Sequence, residues 1–250
     1  MSSPSGLTLE RIDPAWSASL APWERESLKL HLERYTFAGK YVSDKVVVDC
    51  ACGTGYGSEM LAQAGARRVF GVDLDPSAIG FAREHHAHDR VRYQVADALT
   101  WVPEVAPQVW VSLETVEHLP DAAAYLRSVH DRLGPDGILI ASVPTTVSTD
   151  ANPHHLADFT RKSWRRLLRS SGFEPFDELL QVQRFRLADA MGANKGSRVR
   201  VRGDLVRFYL RRPVVAWRRA LLTVTRGLVN EYLMVVARRR SSRDSPSSRR

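Results

Sequence analysis

The stretch VVVDCACGTGYGS, residues 46–58, constrains the fold more strongly than any other part of the sequence. A short β-branched run ends in Asp49 and passes directly into a turn that contains Gly53, Gly55 and Gly57. Glycines between a strand and a helix let the backbone turn sharply and come close to a ligand. The stretch therefore predicts a ligand-binding turn at the carboxyl edge of a parallel sheet.

From residue 46 onward, short β-branched runs alternate with helical spacing, which is typical of a parallel sheet with helices on both faces. The predicted strands are 46–49, 69–73, 91–95, 108–113, 137–143, 179–186 and 231–238. Helices are predicted to begin near residues 57, 76 and 121 and to cover 163–171 and 23–37. Asp75 before Pro76, and Thr160, are predicted N-caps. The helix over 23–37 is expected either to lie over the pocket or to cover a sheet edge.

The overall properties of the chain favour one domain in a reducing compartment. A length of 250 residues has room for one α/β core with an elaboration. No apolar run spans a membrane and the start MSSPSGLTLE lacks a secretory pattern, so a cytoplasmic location is predicted. Cys50 and Cys52 are predicted to be free thiols. His85, His86 and His88, at the end of the second helix of the core, are predicted to be solvated surface.

Charge divides the chain into two unequal parts. Residues 1–180 contain 18 Lys/Arg against 24 Asp/Glu, whereas residues 181–250 contain 18 against 4. Such asymmetry favours an anionic partner for the second part, or a solvated arginine-rich exterior. The predicted organisation is a helical cap (1–45), a core (46–185), a basic helical insertion (186–229), a last core strand (230–238) and a disordered basic tail (239–250).

The glycines alone leave the ligand of the turn open. A Walker-type phosphate loop is excluded, because Ser58 and Glu59 follow Gly57 where that loop needs Lys-Ser or Lys-Thr. A nicotinamide or flavin site is weakened by the G-x-G-x-G spacing, although Asp73 lies where a ribose would be gripped. Asp49 is the more informative residue, since a carboxylate at the strand end repels a pyrophosphate and attracts an ammonium or a sulfonium. S-adenosyl-L-methionine (SAM) carries both cations and no phosphate.

At this point the sequence resembles the class I SAM-dependent methyltransferases. The resemblance rests on five motifs in the family's order: DCACGTGYGS (49–58), GVDLDPSAI (71–79), ADAL (96–99), SLETVEHL (112–119) and LGPDGILIASVP (133–144). It implies a Rossmann-like α/β fold with a seven-stranded, mostly parallel sheet, a reversed last strand and helices on both faces. The basic helical insertion would precede that last strand.

The resemblance also implies roles for individual residues in holding SAM. Asp49, Ala51, Gly53 and Gly55 would surround the methionine part of the cofactor. The ribose hydroxyls would be bound by Asp73, and Leu74 would pack on the adenine. The remaining positions are Asp97 and Ala98 beside the adenine amino group, and Leu113 and Glu114 near the methyl group.

Two histidines are candidates for the acceptor side of the pocket. His118 lies four residues after Glu114, at the edge where ligands bind open α/β sheets, and is expected to act as a general base or to fix the loop. The segment NPHHLADFT (152–160) resembles an N-P-x-H-x-x-E-F/Y-T segment of bacterial methyltransferases associated with sugars, glycan intermediates and secondary metabolites. In it, His155 and Asp158 would form a base with its orienter, would bind a metal weakly, or would pin the loop and cap the next helix. No metal site is predicted, because no further ligands are evident.

The insertion mixes arginines with aromatic and aliphatic side chains, and Pro213 divides it into two predicted helices. Its 198–229 part has the composition of an interfacial helix, which favours peripheral contact with a membrane or a lipid-linked substrate. A lid that presents arginines to an anionic acceptor is a second interpretation. RNA contact is a third, although no RNA-binding module is recognisable and no specific nucleic acid is predicted. A homodimer contact or a helical cover for the sheet is the fourth.

The sequence thus predicts a cytoplasmic SAM-dependent methyltransferase that O-methylates a small-molecule or glycosidic acceptor in bacterial specialised or cell-surface metabolism. An RNA or N-methyltransferase is the alternative among transferases, although no Asn-Pro-Pro-Tyr-type motif follows the fourth strand. Outside the transferases, the alternatives are an NAD-dependent oxidoreductase and a non-catalytic SAM-binding module.

Overall fold

The structure is a computed structural model that describes residues 13–20, 22–149, 152, 154–184 and 204–240. Its strands are β1 (Val46–Cys50), β2 (Arg68–Asp73), β3 (Val91–Val95), β4 (Val109–Leu113), β5 (Ile138–Pro144), β6 (Phe173–Arg184) and β7 (Val229–Arg239). Within the described residues, these seven strands form one sheet in the order β3-β2-β1-β4-β5-β7-β6. The first five are parallel and β7 is antiparallel to both of its neighbours, so the predicted seven-stranded Rossmann-like sheet is confirmed.

The helices alternate with the strands as predicted. They are α1 (Pro22–Gly39), α2 (Tyr56–Gln63), α3 (Pro76–His85), α4 (Ala122–Arg132), α5 (Arg161–Ser170), α6 (Leu205–Arg211) and α7 (Pro213–Arg226), with 3-10 turns at Pro14–Ser19 and Val116–His118. Asp75 and Thr160 cap α3 and α5 by accepting hydrogen bonds from the backbone of Ser77 and Ser163. In the described part of the chain, every helix is too short or too polar to cross a bilayer.

The sheet is buried on both faces, which is why its central strands are continuous apolar runs. Alternate residues of β1 face opposite sides: Val47 packs with α1 and α2, whereas Val48 packs with α4 and α5. Trp110 and Phe70 are fully buried on the α4 side. Burying a side chain of this size contributes about 1.5–3 kcal/mol, so the core fixes the strand ends on which the site is built.

The start of one strand differs from the sequence prediction, and parts of the insertion and tail lie outside the described residues. The predicted strand 179–186 begins six residues earlier, at Phe173, because pairing with β7 carries the strand through a register shift at Pro175/Asp177. Charged residues on that edge obscure the apolar alternation. The insertion contains α6 and α7 on either side of residue 212, as Pro213 predicts. Residues 186–203 of the insertion and 241–250 of the predicted tail lie outside the described residues. Arg239, predicted to begin that tail (239–250), is instead the last residue of β7, where it pairs with Phe173 of β6.

The prediction that the histidines ending α3 are solvated is wrong for His86. Its ring lies between two carboxylates, with Nδ1 2.7 Å from Glu59 Oε2 and Nε2 2.9 Å from Asp13 Oδ2. Burial lowers the pKa of His86, but the hydrogen bonds and charges of the two carboxylates outweigh it and the pKa is raised. Local sequence patterns do not reveal this cluster, because its members come from three separate parts of the chain.

We expect the His86 cluster to stabilise the fold most at acidic pH. A histidine whose folded-state pKa is raised contributes stability below its ordinary value of 6.5 and loses it as the pH rises through the raised value. His86→Gln should therefore lower the melting temperature at slightly acidic pH and have a smaller effect at alkaline pH. Thermal unfolding followed by circular dichroism across this range checks the sign, with His88→Gln as the control. An effect of His86→Gln that grows with pH would contradict it.

Candidate functional site

The predicted cofactor residues lie together along the carboxyl ends of β1, β2 and β4, where open α/β sheets bind ligands. Asp49 stands one residue before the end of β1 and is 1% exposed. Its Oδ2 accepts a 2.6 Å hydrogen bond from Ser58 Oγ, and its Oδ1 lies 3.2 Å from the Tyr35 hydroxyl. Burial raises the pKa of the Asp49 carboxyl to about 7, although both hydrogen bonds favour the charged form. A cation bound at this carboxylate would complete its charge balance.

Both side chains that donate to Asp49 occupy room left by glycines. A Cβ at Gly57 would lie 1.9 Å from the Tyr35 ring, and a Cβ at Gly71 would lie 2.8 Å from Ser58 Oγ. Contacts under 3.0 Å cannot be accommodated without movement of the neighbour. The glycines at these two positions therefore set how closely α1 and α2 approach the sheet.

The glycine turn uses its own backbone donors internally. The Gly53 N–H donates to Asp73 Oδ2 at 2.9 Å, and the Gly55 N–H donates to the Cys52 carbonyl at 3.1 Å. Ala51 has a φ of 60°, a strained value for a residue with a side chain, and such outliers cluster at functional sites. The turn is thus held in one conformation against Asp73, whose other oxygen accepts from the Asp75 N–H.

Beyond β2, the structure presents an apolar surface and a second acid. Leu74 is 71% exposed and Val95 46% exposed, which leaves apolar surface beside Asp73. Asp97 is exposed, and its Oδ1 accepts from the Leu99 N–H at 2.9 Å, as an N-cap would. Ala98 is half-buried against the core. Roles for Asp97 and Ala98 in holding adenine stay predictions.

Leu113 and Glu114 end β4 at the centre of the carboxyl edge. Leu113 is buried, whereas Glu114 has a φ of 50° and is held by Ser142 of β5, which accepts from its N–H and donates to its Oε1 at 2.7 Å. This backbone strain lies at a strand end beside the other predicted cofactor residues, a common position for functional residues, and the role of Glu114 near the methyl group stays a prediction.

The sequence analysis missed a buried arginine in this site. Arg34 of α1 is 1% exposed; its Nε donates to Gln181 Oε1 at 2.8 Å and its Nη1 lies 3.7 Å from Glu114 Oε1. Its guanidinium also stacks 4.5 Å from the centroid of the Tyr232 ring. From the sequence alone, an arginine in an amphipathic helix is predicted to be an exposed surface charge. Only the packing of α1 against the sheet shows that Arg34 is buried.

The predicted helix before β1 therefore contacts two predicted cofactor residues, Asp49 through Tyr35 and Glu114 through Arg34. It also covers the edge strand β6, whose Gln181 and Gln183 side chains donate to its backbone carbonyls.

The structure brings the two predicted catalytic histidines together. The rings of His118 and His155 are perpendicular, with centroids 4.7 Å apart. Their loops are tied by the backbone, because the Glu117 carbonyl accepts from the N–H groups of Leu156 and Ala157 at 2.8 and 3.3 Å. Sequence spacing alone does not predict this pairing, since 36 residues separate the two loops.

Asp158 contacts the loop that precedes it. Its Oδ1 accepts from the N–H groups of Ser148 and Thr149, and its Oδ2 accepts from the Thr149 hydroxyl at 2.8 Å. Ser148 Oγ in turn lies 2.8 Å from His155 Nδ1. Of the roles predicted for Asp158, these contacts support that of pinning the loop, with an indirect link to His155 through Ser148.

The basic insertion lies against the same loop. Arg219 of α7 donates to the Val147 carbonyl. Glu231 at the start of β7 is 7% exposed and accepts from Arg226 of α7 at 2.6 Å and from Arg161 of α5 at 2.8 Å. These contacts fix the C-terminal half of the insertion beside the acceptor side of the site.

The residues present fit SAM and do not fit a pyrophosphate. A pyrophosphate requires free backbone N–H groups at the glycine turn, and those of Gly53 and Gly55 are already used. The carboxylate of Asp49 would repel it, whereas the ammonium and sulfonium of SAM would be attracted. Asp73 is placed for a ribose, and the exposed Leu74 offers an apolar surface to an adenine.

Comparison with known proteins agrees with this assignment. A family described as "Methyltransferase domain" matches residues 47–137. A Mycolicibacterium smegmatis protein named as a probable S-adenosylmethionine-dependent methyltransferase is 30% identical over 139 residues, which cover 53% of each chain. A ubiquinone biosynthesis O-methyltransferase of Pseudomonas paraeruginosa is 34% identical over 105 residues, which cover 40% of this chain and 45% of that one. The chain therefore spans about half the length of these curated relatives.

A solved structure shares the fold. The N-methyltransferase NodS from Bradyrhizobium japonicum, in complex with S-adenosyl-L-homocysteine, superimposes with a TM-score of 0.58 at 16% identity, covering 92% of this chain and 94% of NodS. The strand order, the glycine turn with its acids and the matching domain thus lead to one conclusion. Residues 47–137 carry a methyltransferase domain, and the chain is similar to class I SAM-dependent methyltransferases.

Proposed function

We propose that the whole protein transfers the methyl group of SAM to a hydroxyl group of a small-molecule or glycosidic acceptor of bacterial specialised or cell-surface metabolism. The observation that carries the proposal is the pair of imidazoles, His118 and His155, 4.7 Å apart beyond β4 and β5. A hydroxyl must lose its proton to be methylated, whereas an amine only has to arrive uncharged. Imidazoles at the acceptor side therefore favour oxygen as the methylated atom.

In this proposal the chain binds and orients two reactants. SAM, when bound, supplies a methyl group on a positively charged sulfur; transfer breaks the carbon–sulfur bond, forms a carbon–oxygen bond and leaves a neutral thioether. Asp49 would stabilise the positive charge and Asp73 would hold the ribose. Glu114, oriented by Ser142 and Arg34, would border the reacting end of the pocket. Alignment of donor and acceptor contributes roughly 7–11 kcal/mol toward the barrier.

The comparisons support oxygen as the acceptor atom without identifying the acceptor. The P. paraeruginosa relative is named an O-methyltransferase, and the match covers less than half of its length. NodS is named an N-methyltransferase, but at 16% identity it carries information on the fold alone. The acceptor class therefore rests on the histidines and on the resemblance of residues 152–160.

We expect SAM affinity to fall as the pH drops below about 7. Without a ligand, burial raises the pKa of the Asp49 carboxyl to about 7, and the cation binds the ionised form, so the proton must leave. Affinity should weaken by up to about tenfold per pH unit below that pKa. Asp49→Asn should bind SAM weakly with little pH dependence in calorimetric titrations. Asp136→Asn, an exposed acid at the opposite sheet edge, is the matched control.

Asp73→Ala tests the register of the cofactor site. It removes the predicted ribose ligand and the acceptor for the Gly53 N–H, so SAM binding should be strongly reduced. Unchanged affinity in a folded variant would mean that the assignment of Asp73 is wrong. The same titration with NAD should give no binding, and tight NAD binding would favour the oxidoreductase.

The hydroxyl acceptor is tested with methyl-labelled SAM and a panel of catechols, glycosides, amines and RNA. We expect label in a methyl ether, which resists the mild alkali that releases methyl esters. Asp73→Ala controls for transfer that does not need the cofactor site. Label confined to amines would overturn O-methylation, and label confined to RNA would overturn the small-molecule or glycosidic acceptor. No transfer to any acceptor despite SAM binding would favour a non-catalytic module.

We further propose that the insertion contacts an anionic membrane surface. On α7, Val214, Trp217, Leu221 and Val224 are 46–86% exposed and recur at intervals of three and four, so they form one stripe. The preceding α6 region adds exposed arginines at 207, 211 and 212. An apolar stripe flanked by arginines complements acidic lipid headgroups.

The cytoplasmic location stays a prediction.

Co-sedimentation with lipid vesicles tests this contact. We expect binding to phosphatidylglycerol vesicles that is weakened by salt, and little binding to phosphatidylcholine vesicles. Trp217→Ser should reduce partitioning by about tenfold or more, because inserting a large apolar side chain contributes about 1.5–3 kcal/mol. Val102→Ser, which removes an equally exposed side chain elsewhere, should have no effect. A stripe that instead drives concentration-dependent dimers without vesicle binding would overturn the proposal.

A further inference from the structure

Three side chains with metal-binding atoms converge at the acceptor side of the site. Glu117, His118 and His155 each offer one ligand atom, and these atoms lie within 4.8 Å of one another. Glu117 is 0% exposed, and both histidines are half-buried. No metal site is predicted from the sequence, because no obvious set of further ligands accompanies His155 and Asp158.

The surrounding contacts suit the imidazole form that binds metals. His118 Nδ1 lies 3.3 Å from the His154 carbonyl oxygen, to which it can only donate. His155 Nδ1 lies 2.8 Å from Ser148 Oγ, which Asp158 helps to position. When Nδ1 carries the proton, Nε2 carries the lone pair, and an oxygen partner on Nδ1 is the usual support of a histidine ligand. The two loops that carry these rings are also joined through the Glu117 carbonyl.

We propose that Glu117, His118 and His155 bind one divalent transition-metal ion, such as Zn²⁺, Mn²⁺, Fe²⁺ or Co²⁺. Two imidazoles and one carboxylate suit these ions, whereas Mg²⁺ and Ca²⁺ prefer sites made only of oxygen. Ligand atoms about 2.0–2.2 Å from an ion lie roughly 3–3.5 Å from one another, so atoms up to 4.8 Å apart need to approach by up to about 1.3–1.8 Å. Small rotations about the side-chain bonds of the half-buried histidines provide that movement.

Such an ion would deepen the proposed O-methylation, on which its role rests. Three protein ligands leave coordination positions open, and open positions are what distinguish a catalytic site from a structural one. An acceptor hydroxyl bound there would release its proton to water more readily and would be oriented as the nucleophile. Two adjacent oxygens, as in a catechol or a sugar diol, would occupy two open positions. His118 and His155 would then act as ligands, and no side chain would be needed as the base.

Binding is tested on the full-length protein after treatment with a chelator, with Co²⁺ as the probe. We expect one equivalent of Co²⁺ per chain and a visible d–d absorption that titrates to saturation. His118→Asn, His155→Asn and Glu117→Gln should each weaken binding by about 100-fold or more, beyond the 10- to 100-fold typical of losing an outer-shell partner. His154→Gln, a histidine adjacent to the cluster, should bind as the wild type does.

The possible results distinguish failure of the metal site from failure of the proposed O-methylation. Co²⁺ binding that is absent, or unchanged in all three variants while circular dichroism shows a native fold, would overturn the site. If Co²⁺ binds but the chelated wild type methylates catechols and glycosides at full rate, the role of the ion in the reaction is overturned and O-methylation stands. If the metal binds and no hydroxyl is methylated with or without it, O-methylation fails and the metal site stands.

Discussion

A buried carboxylate at the end of the central strand organises this molecule. Asp49 cannot remain in the core without hydrogen bonds, and its donors come from two helices on the same face of the sheet. Tyr35 thereby docks α1 against the strand ends, and the docked helix carries Arg34 beside Glu114. The hydrogen bonds that one buried acid requires thus place α1, a helix that precedes the first strand, beside the strand ends that carry the predicted cofactor residues.

The parts of the fold that could be predicted are those where local pattern and tertiary structure agree. Central strands are buried on both faces and appear as apolar runs, and Asp75 and Thr160 cap their helices through contacts within three residues. Prediction fails where a residue's environment is supplied from far along the chain. Arg34 and His86 both look like surface charges locally, and their partners come from elements that periodicity does not relate. Glu117 is hidden for the same reason.

The two halves of the site have different origins in the sequence. Residues that fit SAM fall within 47–137, the stretch that matches the methyltransferase domain. The groups on the acceptor side mostly lie outside it: Arg34 on α1, His155 and Asp158 after β5, and Arg219 in the insertion. Loops and insertions on a fixed scaffold are where substrate preference usually varies. Likeness to relatives therefore informs on the cofactor far more than on the acceptor.

The space that Gly57 and Gly71 leave for the Tyr35 and Ser58 side chains limits which substitutions this site can accept. Because a Cβ at Gly57 would overlap the Tyr35 ring, a larger residue at 57 and a tyrosine at 35 exclude each other. The same holds, less severely, for Gly71 and Ser58. Single substitutions at either glycine would strip Asp49 of a donor before any replacement exists. Divergence at these positions therefore has to proceed through paired changes, which links Tyr35 of α1 to Gly57, 22 residues further along the chain.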